Sequence, residues 1–389
     1  MKKLFLVLII FTLTGCWNYR ELNQLAIATG FAIDIVDDEF EVTILISNSQ
    51  KQGSSDGNSQ ASAAVYKGQG KTIFEAIKDA SMGISKQIYV SHIEILVLSE
   101  DVAKEKTEDV IDFFFRYPQT RNEYLMIIAK DCKAGDTFKV TTQLETFPSQ
   151  NISKNIEITD KLQGFIYEVS FNDFVTDLIE EGVNPVLPSI SIVGNVQEGN
   201  KEENIQQNEA SSYLKLGMMG IFKGFNFVGF SSRDQSKGIN MINNHVQTTL
   251  IVSECQNGKA VVEINGLKTK PELDLSNDIP KIKLKVEAKG SISEVTCDLK
   301  IDEHESIKEI SKLSEEKIVE FVNAGIDFAK ENKTDIFGFG NMIYKEDFKY
   351  WYKIKDNWND SIFEQVEFEI EAKIDIATKG SIDNKIEVK

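Results

Sequence analysis

A mixed α/β (α+β) fold in three domains, each a β-sheet with helices packed on it, is predicted by two features of the sequence. Runs rich in β-branched and aromatic residues alternate with segments whose apolar residues recur every three or four positions. Polar stretches at 197–210 and 269–281 interrupt this alternation in a chain of 389 residues, which is long for one core. The predicted units are an N-terminal α/β domain (25–196), a middle domain (197–270) and a C-terminal α/β domain (271–389).

The N-terminal domain is predicted to begin with two strands in 25–48, around a turn at 37–39, followed by a polar loop at 49–63. Helix and strand patterns then alternate along the chain. Strands are predicted at 65–67, 92–99, 123–129 and 189–196, and helices at 72–86, 101–116, 150–163 and 171–181.

The remaining chain predicts a hairpin, a short helix and a second group of strands around a long helix. Lys223-Gly224 supplies the glycine that a tight hairpin turn favours. The helix from about Glu305 to Glu331 places apolar residues near one stripe, as expected of a helix lying on a sheet. The hairpin is 213–222 with 225–231, the other helices are 232–244 and 341–354, and the strands are 246–255, 259–268, 282–295 and 363–378.

The N-terminus is typical of a lipoprotein signal peptide at residues 1–15. Met1-Lys2-Lys3 precedes an apolar run of about a dozen residues, whereas a membrane-spanning helix needs about 20. Leu13-Thr14-Gly15-Cys16 resembles a bacterial lipobox, in which the cysteine is lipidated and becomes the new N-terminus. Two acyl chains on Cys16 would anchor the protein to the membrane without crossing it. An ordinary signal peptide with a chance cysteine is the alternative.

Composition narrows the classes of partner. The net charge is −18, and loss of Lys2 and Lys3 with the signal peptide lowers it to −20. Nucleic-acid binding rests on Lys and Arg neutralising phosphates, so nucleic acid is not an expected partner. The same charge opposes attraction to an anionic membrane, so attachment is expected to come from the lipid.

The three other cysteines are odd in number and show no CxxC spacing. We therefore interpret Cys132, Cys255 and Cys297 as buried small hydrophobes. A Cys255–Cys297 disulfide is the weaker alternative.

No motif supports catalysis, a metal or a cofactor. "GQGKT" (68–72) follows a strand and opens a helix, as in a phosphate-binding loop, but Val65 stands where that motif needs glycine. Thr72 and Glu75 are better explained as a capping box. His92, His245 and His304 are far apart and match no metal-binding pattern.

Two aromatic segments allow a structural and a functional interpretation. In "DIFGFG" (335–340), Phe337 and Phe339 either plug the core at a turn between helices or belong to a partner-facing or hinge loop. The cluster "YKEDFKYWYKIKDNW" (344–358) is aromatic and basic, and it either covers a core or faces anionic headgroups or a partner.

The lipidated tether (16–24) is short, with about eight residues, roughly 25 Å when extended, between Cys16 and the first strand. We therefore expect the N-terminal domain to lie close to the membrane. This favours a subunit attached to integral-membrane partners over a freely searching receptor.

The chain resembles the C subunits of bacterial spore germinant receptors, the Ger(x)C lipoprotein family, along its whole length. The start, "LTGCWNYRELNQLAIATGFAIDI", is similar to the start of that family, and the region 195–210 shows no family pattern. Further blocks follow in family order: "GKTIFEAIKDAS", "SHIEILVLSE", "FFFRYPQTRNEYLMIIAK", "LPSISI", "LKLGMMGIFKGFNFVGFSSRDQSKGINMI" and "TDIFGFGNMIYKEDFKYWYKIKDNW".

The resemblance implies a three-domain mixed α/β fold, no catalysis and a nutrient germinant receptor with two integral-membrane subunits. It implies a location on the outer face of the inner spore membrane and assigns nutrient recognition chiefly to a membrane partner, but it does not settle the molecular task of this subunit. We therefore predict a structural role in receptor assembly or signalling during germination. The resemblance also makes Arg20, Glu21 and Asn23 part of a recurring family element, so these residues, with Phe337 and Phe339 of "DIFGFG", are our candidates for a partner interface. Two other functions are weighed beside this one. A solute-binding lipoprotein would need a concave pocket for a small germinant, and a cell-surface enzyme would need clustered His, Asp and Glu.

Overall fold

The computed structural model describes residues 22–48, 62–117, 119–301 and 303–378. These residues form two β-sheets with helices packed against them. Strands β1–β13 are Leu25–Val36, Glu39–Ser47, Ala63–Gly70, Gln87–Tyr89, Ile95–Ser99, Leu125–Ala129, Val186–Gly194, Ser212–Lys223, Asn226–Phe230, Thr249–Cys255, Gly258–Asp274, Lys281–Val295 and Glu367–Thr378. The main helices α1–α9 are Ile73–Ser81, Glu100–Glu105, Thr107–Arg116, Pro148–Gln163, Phe171–Ile179, Arg233–Ile242, His304–Glu331, Phe339–Glu346 and Phe348–Ile354.

The mixed α/β class is confirmed, and most predicted elements have a counterpart. The β1–β2 hairpin turns at Asp37 and Asp38, whose φ angles of 52° and 62° are those of a tight two-residue turn. Lys223 pairs with Asn226 in the β8–β9 hairpin, as the glycine in this turn predicts.

The first sheet has the strand order β3-β2-β1-β5-β6-β7-β8-β9, with β4 beside the start of β1. Strands β1, β5, β6 and β7 are parallel, so their first residues Leu25, Ile95, Leu125 and Val186 share one edge, which we call the amino edge. Because β8 runs antiparallel to β7, the β8–β9 turn returns to the same edge. The opposite end of the sheet is the carboxyl edge.

The second sheet has the order β10-β11-β12-β13, and α7 packs across it. Most of the apolar stripe predicted on this helix is buried, including Ile310, Ile318 and Phe321. The helix also crosses α6 closely, since a β-carbon on Gly238 would collide with the carbonyl oxygen of Phe321. This crossing joins the two sheets into one packed structure.

Two predicted single helices are each interrupted. Lys106 separates α2 from α3, and Asp347 separates α8 from α9. The Asp347 carboxylate accepts hydrogen bonds from the backbone N–H groups of Lys349 and Tyr350, so it begins a new helix.

The predicted middle domain (197–270) is not a separate sheet in the described residues. Its first strands, β8 and β9, complete the first sheet, while the 270/271 boundary lies inside β11. The polar stretch 197–210 is held in place by Asn204, whose side chain bonds the backbone oxygens of Thr141 and Ser212. Pro271 does not end β11, because β10 flanks that strand only as far as Ile264. Polar and proline-containing segments here connect elements and do not separate domains.

A disulfide joins Cys255 and Cys297, so the interpretation of these two residues as buried hydrophobes is wrong. Cys255 ends β10 opposite Gly258, and Ala260 pairs with Val295 near the end of β12. This strand register brings together two cysteines that lie 42 residues apart in sequence. Cys132 is free and half-buried.

Candidate functional site

The "DIFGFG" segment is organised around the buried carboxylate of Asp335. Its oxygens accept hydrogen bonds from the backbone N–H of Phe337 (3.0 Å), the backbone N–H of Gly340 (2.8 Å) and the indole N–H of Trp358 (3.0 Å). Burial raises the pKa of Asp335 to about 6, and the hydrogen bonds to its anionic form oppose this rise. Asp335 therefore fixes the turn that leads into α8 and holds it against Trp358.

The backbone of Asp335 ties this turn to the first sheet. Its carbonyl oxygen accepts a 2.8 Å hydrogen bond from the backbone N–H of Asn184, and its N–H donates to Asn359 Oδ1 at 2.9 Å. The Asn184 side chain donates to the same Asn359 oxygen and accepts from the N–H of Gly224 in the β8–β9 turn. We call Asn184, Gly224, Asp335, Trp358 and Asn359 the Asp335 junction.

The alternating glycines of "DIFGFG" each have a steric reason. Gly338 begins α8 in the left-handed region, with φ 72°. A β-carbon on Gly340 would lie 2.8 Å from the carbonyl oxygen of Gly182 and 2.7 Å from the ring of Trp351. Backbone of the loop before β7 therefore packs directly on the start of α8.

Phe337 and Phe339 are 7% and 0% exposed. The rings lie 5.3 Å apart between centroids, and Phe339 also contacts Phe368 at the start of β13. These side chains plug the core, so the partner-facing interpretation does not fit them: contact with a partner would require them to leave the core.

The inner side of α9 packs on the loop between α5 and β7. The indole N–H of Trp351 donates a 2.7 Å hydrogen bond to Glu181, and Lys355 lies 3.8 Å from the same carboxylate. Trp351, Ile354 and Trp358 are buried, which is the core-covering role weighed for the segment 344–358. Tyr344, Phe348 and Tyr352 are exposed, so the same segment also presents an aromatic outer face.

The N-terminal interface candidates are only partly covered by the described residues. Cys16, Arg20 and Glu21 lie outside them, so their expected roles stay predictions. Asn23 is exposed in the turn Leu22–Gln24, directly before β1. It thus lies at the amino edge of the first sheet.

The Asp335 junction lies at this same edge. Asn184 lies two residues before the start of β7, and Gly224 lies in the β8–β9 turn. Both positions are at the amino edge. Lys223, in that turn, pairs with Asp360 beside the junction. The end of the tether and the C-terminal helices α8 and α9 are therefore positioned at one edge of the first sheet.

The residues of "GQGKT" serve helix packing. Thr72 and Glu75 form the predicted capping box, with each side chain bonded to the other residue's backbone N–H. A β-carbon on Gly68 would collide with the backbone of Ala76 and Ala80 in α1. Across the described residues, no three His, Cys, Asp or Glu side chains are grouped as metal ligands.

Surface clefts are open and shallow. A cleft of about 710 Å³ at the carboxyl edge is polar and is lined by Asp136, Lys139, Gly194, Asn195, Val196, Gln197 and Asn200. A cleft of about 330 Å³ is apolar, with Phe74, Phe113 and Tyr117 beside Asp109 and Asp112. In the described parts of the chain, no helix has the length and apolar character needed to cross a membrane.

Sequence reasoning singled out "DIFGFG" but missed the residue that organises it. Asp335 is one of 61 acidic residues, and its burial cannot be recognised from composition. Asn184 and Glu181 were missed as well. The available signal was the pair of glycine-containing segments, "EEGVNP" and "DIFGFG", whose backbones meet at Gly182 and Gly340.

Comparison with known proteins gives consistent results over nearly the whole chain. Residues 18–192 match the family model "Spore germination protein N-terminal domain", and residues 218–380 match "Spore germination B3/ GerAC like, C-terminal". Spore germination protein KC of Bacillus subtilis (strain 168) is 26% identical, over 98% of this chain and 96% of that protein. Spore germination protein B3 of the same organism is 23% identical, over 96% of each chain.

The fold also has a solved counterpart. The crystal structure of the GerBC protein matches with a TM-score of 0.54 and 19% identity, covering 92% of this chain and 99% of that one. The two family models together span most of the sequence. The chain belongs to the GerAC family of spore germination proteins.

Proposed function

We propose that this chain is a non-enzymatic lipoprotein subunit of a nutrient germinant receptor, needed for receptor assembly or signalling in spore germination. Its partners are two integral-membrane receptor subunits. It is held on the outer face of the inner spore membrane by a lipid on Cys16. The proposal is supported by the family and by relatives that are spore germination proteins.

The observation that carries the proposal is the short connection from Cys16 to a rigid sheet. β1 begins at Leu25, its first three residues pair with β4, and from Ile27 onward it also pairs with β2. The tether between them has about eight residues, roughly 25 Å at full extension. A lipid on Cys16 would therefore keep the amino edge, and the Asp335 junction with it, close to the bilayer and to membrane-embedded partners.

The junction suits a subunit that transmits force or position between partners. It joins the loop before β7, the β8–β9 turn and the start of α8 through buried and partly buried hydrogen bonds. If a partner displaced α8 and α9, these hydrogen bonds would transmit the displacement to the first sheet. This is the signalling role that we propose for the junction.

Cys16→Ala in the full-length chain tests the anchor. We expect the variant to leave the membrane fraction and nutrient-triggered germination to be lost or strongly slowed. Cys132→Ala is the matched control, since Cys132 is a free, half-buried cysteine far from the N-terminus. Retention of both membrane attachment and germination by Cys16→Ala would contradict the proposal.

Direct capture of a small germinant is the second candidate, and the polar cleft at the carboxyl edge favours it. Amide side chains of Asn195, Gln197 and Asn200 converge there with the Asp136–Lys139 ion pair. Calorimetry of the purified chain with amino acids and sugars separates the candidates. Saturable heat that Asn195→Ala and Asn200→Ala abolish would favour capture, and the absence of heat would leave recognition to a partner.

A further inference from the structure

We propose that the exposed face of α8 and α9 rests on the lipid headgroups of the bilayer and fixes the orientation of the protein on it. This aromatic–lysine patch consists of Tyr344, Phe348, Tyr352, Lys345, Lys349 and Lys353. The inference rests on the proposed lipid anchor at Cys16, which supplies attachment. The patch supplies the direction in which the anchored domain faces the membrane.

The aromatic side chains are exposed although the opposite side of α9 is buried. Tyr344, Phe348 and Tyr352 are 39%, 56% and 57% exposed, whereas Trp351 is 2% exposed. The rings of Phe348 and Tyr352 contact each other at 6.4 Å. A surface helix with aromatic residues turned away from its own core is typical of an element that lies in a membrane interface.

The lysines of the patch are exposed and available for anionic headgroups. Among the described residues, none of Lys345, Lys349 and Lys353 forms an ion pair. Lys355, by contrast, lies 3.8 Å from the Glu181 carboxylate and also sits over the ring of Tyr352, 4.5 Å from its centroid. Three lysines and the exposed carboxylates of Glu346 and Asp347 give the stretch 344–353 a net charge of +1, within a chain whose net charge is −18.

Further exposed apolar side chains lie on segments that contact α8 and α9. Ile179 is 76% exposed and stands two residues before Glu181, which holds Trp351. Ile279 lies in the β11–β12 turn, whose backbone oxygens accept from the hydroxyl of Tyr350. Phe225 lies in the β8–β9 turn next to Gly224. Exposed apolar side chains are therefore present on neighbouring segments as well as on the helices.

The position of the patch favours lipid over other occupants. α8 and α9 pack at the amino edge, where β1 begins, and the tether would hold that edge within roughly 25 Å of the bilayer. Lysine and aromatic side chains match the charge and polarity of the headgroup region. The lysines of this patch would reduce the net repulsion between the acidic chain and an anionic membrane where the patch faces it.

The test places the photo-crosslinker p-benzoylphenylalanine at position 348 or 352 of the full-length lipoprotein in native membranes. Position 213 is the matched control: Tyr213 is an aromatic residue, 49% exposed, at the start of β8 on the carboxyl edge. We expect the yield of phospholipid adducts at 348 and 352 to exceed that at 213 by about fivefold or more. Fractionation of the same samples reports whether the chain is at the membrane.

The crosslinking results distinguish lipid contact by the patch from its alternatives. Membrane-bound protein with equal lipid adducts at all three positions would overturn the patch but leave the anchor standing. Adducts at 348 and 352 to another polypeptide, in place of lipid, would overturn it in favour of a protein partner. Protein absent from the membrane fraction would overturn both the anchor and the patch. The double substitution Lys349→Glu and Lys353→Glu should lower the yield of lipid adducts at position 352 to about half or less. The melting temperature should be unchanged.

Discussion

The indole N–H of Trp358 donates a 3.0 Å hydrogen bond to the carboxylate of Asp335, and neither side chain is more than 1% exposed. Trp358 follows α9, while Asp335 precedes α8, so this bond closes the segment that contains both helices. The same carboxylate accepts the backbone N–H groups of Phe337 and Gly340. The buried carboxylate of Asp335 is thus one of the groups that hold α8 and α9, and with them their outer face, in place.

Asp335→Asn should destabilise the protein. The asparagine keeps the shape of the side chain, but its NH₂ group replaces one acceptor and opposes N–H donors in a buried site. Leaving buried donors unsatisfied costs about 1–3 kcal/mol in the free energy of unfolding. Urea unfolding of the purified chain at pH 7.5 measures this loss.

Asp360→Asn is the matched control, because Asp360 is exposed and pairs with Lys223 at the surface. Exposed ion pairs contribute about 0–1 kcal/mol. Equal free energies of unfolding for the two variants would show that the Asp335 bonds do not stabilise the junction.

The stability contribution of Asp335 should also depend on pH. Its pKa is about 6 in the folded protein, above the ordinary 3.8. Between these two values the folded state binds more protons than the unfolded state, so this group's contribution is full below pH 3.8 and is lost as the pH rises through 6. The difference in unfolding free energy between wild type and Asp335→Asn should therefore be larger at pH 5 than at pH 7.5. A difference that stays constant or grows with pH would contradict the raised pKa.

The elements of the fold could be predicted because each has a local cause. The apolar stripe of α7, the capping box at Thr72 and the glycine in the β8–β9 turn are all visible in short stretches of sequence. Domain boundaries could not be predicted in this way. A polar stretch such as 197–210 shows that the chain is at the surface, but not which sheet the next strand joins.

The candidate site was predicted only in part, because its geometry depends on contacts between distant residues. The segments "DIFGFG" and 344–358 were recognised as unusual from their aromatic residues and glycines. The burial of Phe339 depends on packing against Phe368 in β13, and the role of Asp335 depends on Asn184, which is 151 residues away. The sequence favours unpaired, buried cysteines over the Cys255–Cys297 disulfide for the same reason, since only the strand register brings the two residues together.

Gly340→Ala should strongly destabilise the contact between α8 and the loop before β7. The new methyl group would lie within 2.8 Å of the backbone of Gly182 and the ring of Trp351. Relieving such a contact requires a backbone shift that costs about 1–3 kcal/mol. Thermal unfolding should show a lower melting temperature, and hydrogen exchange should rise in both contacting segments.

Gly229→Ala provides the comparison, because nothing lies within 4 Å of the β-carbon that it would add to β9. A melting temperature for Gly340→Ala equal to that of Gly229→Ala would show that the close approach of Gly182 and Gly340 is not needed for stability.

Reduction of the Cys255–Cys297 disulfide, or its removal by Cys255→Ser with Cys297→Ser, should lower the stability of the second sheet. The bond closes a loop of 42 residues that contains β11 and β12. In the chain-entropy model, cross-linking a loop of this length stabilises the folded state by about 4 kcal/mol. Urea unfolding with and without reductant measures the effect.

Cys132→Ser, which removes the free cysteine, should behave as wild type in both conditions. If wild type and the double variant unfolded at the same urea concentration without reductant, the disulfide would contribute nothing. If reductant affected the double variant as much as wild type, its action would lie elsewhere in the chain.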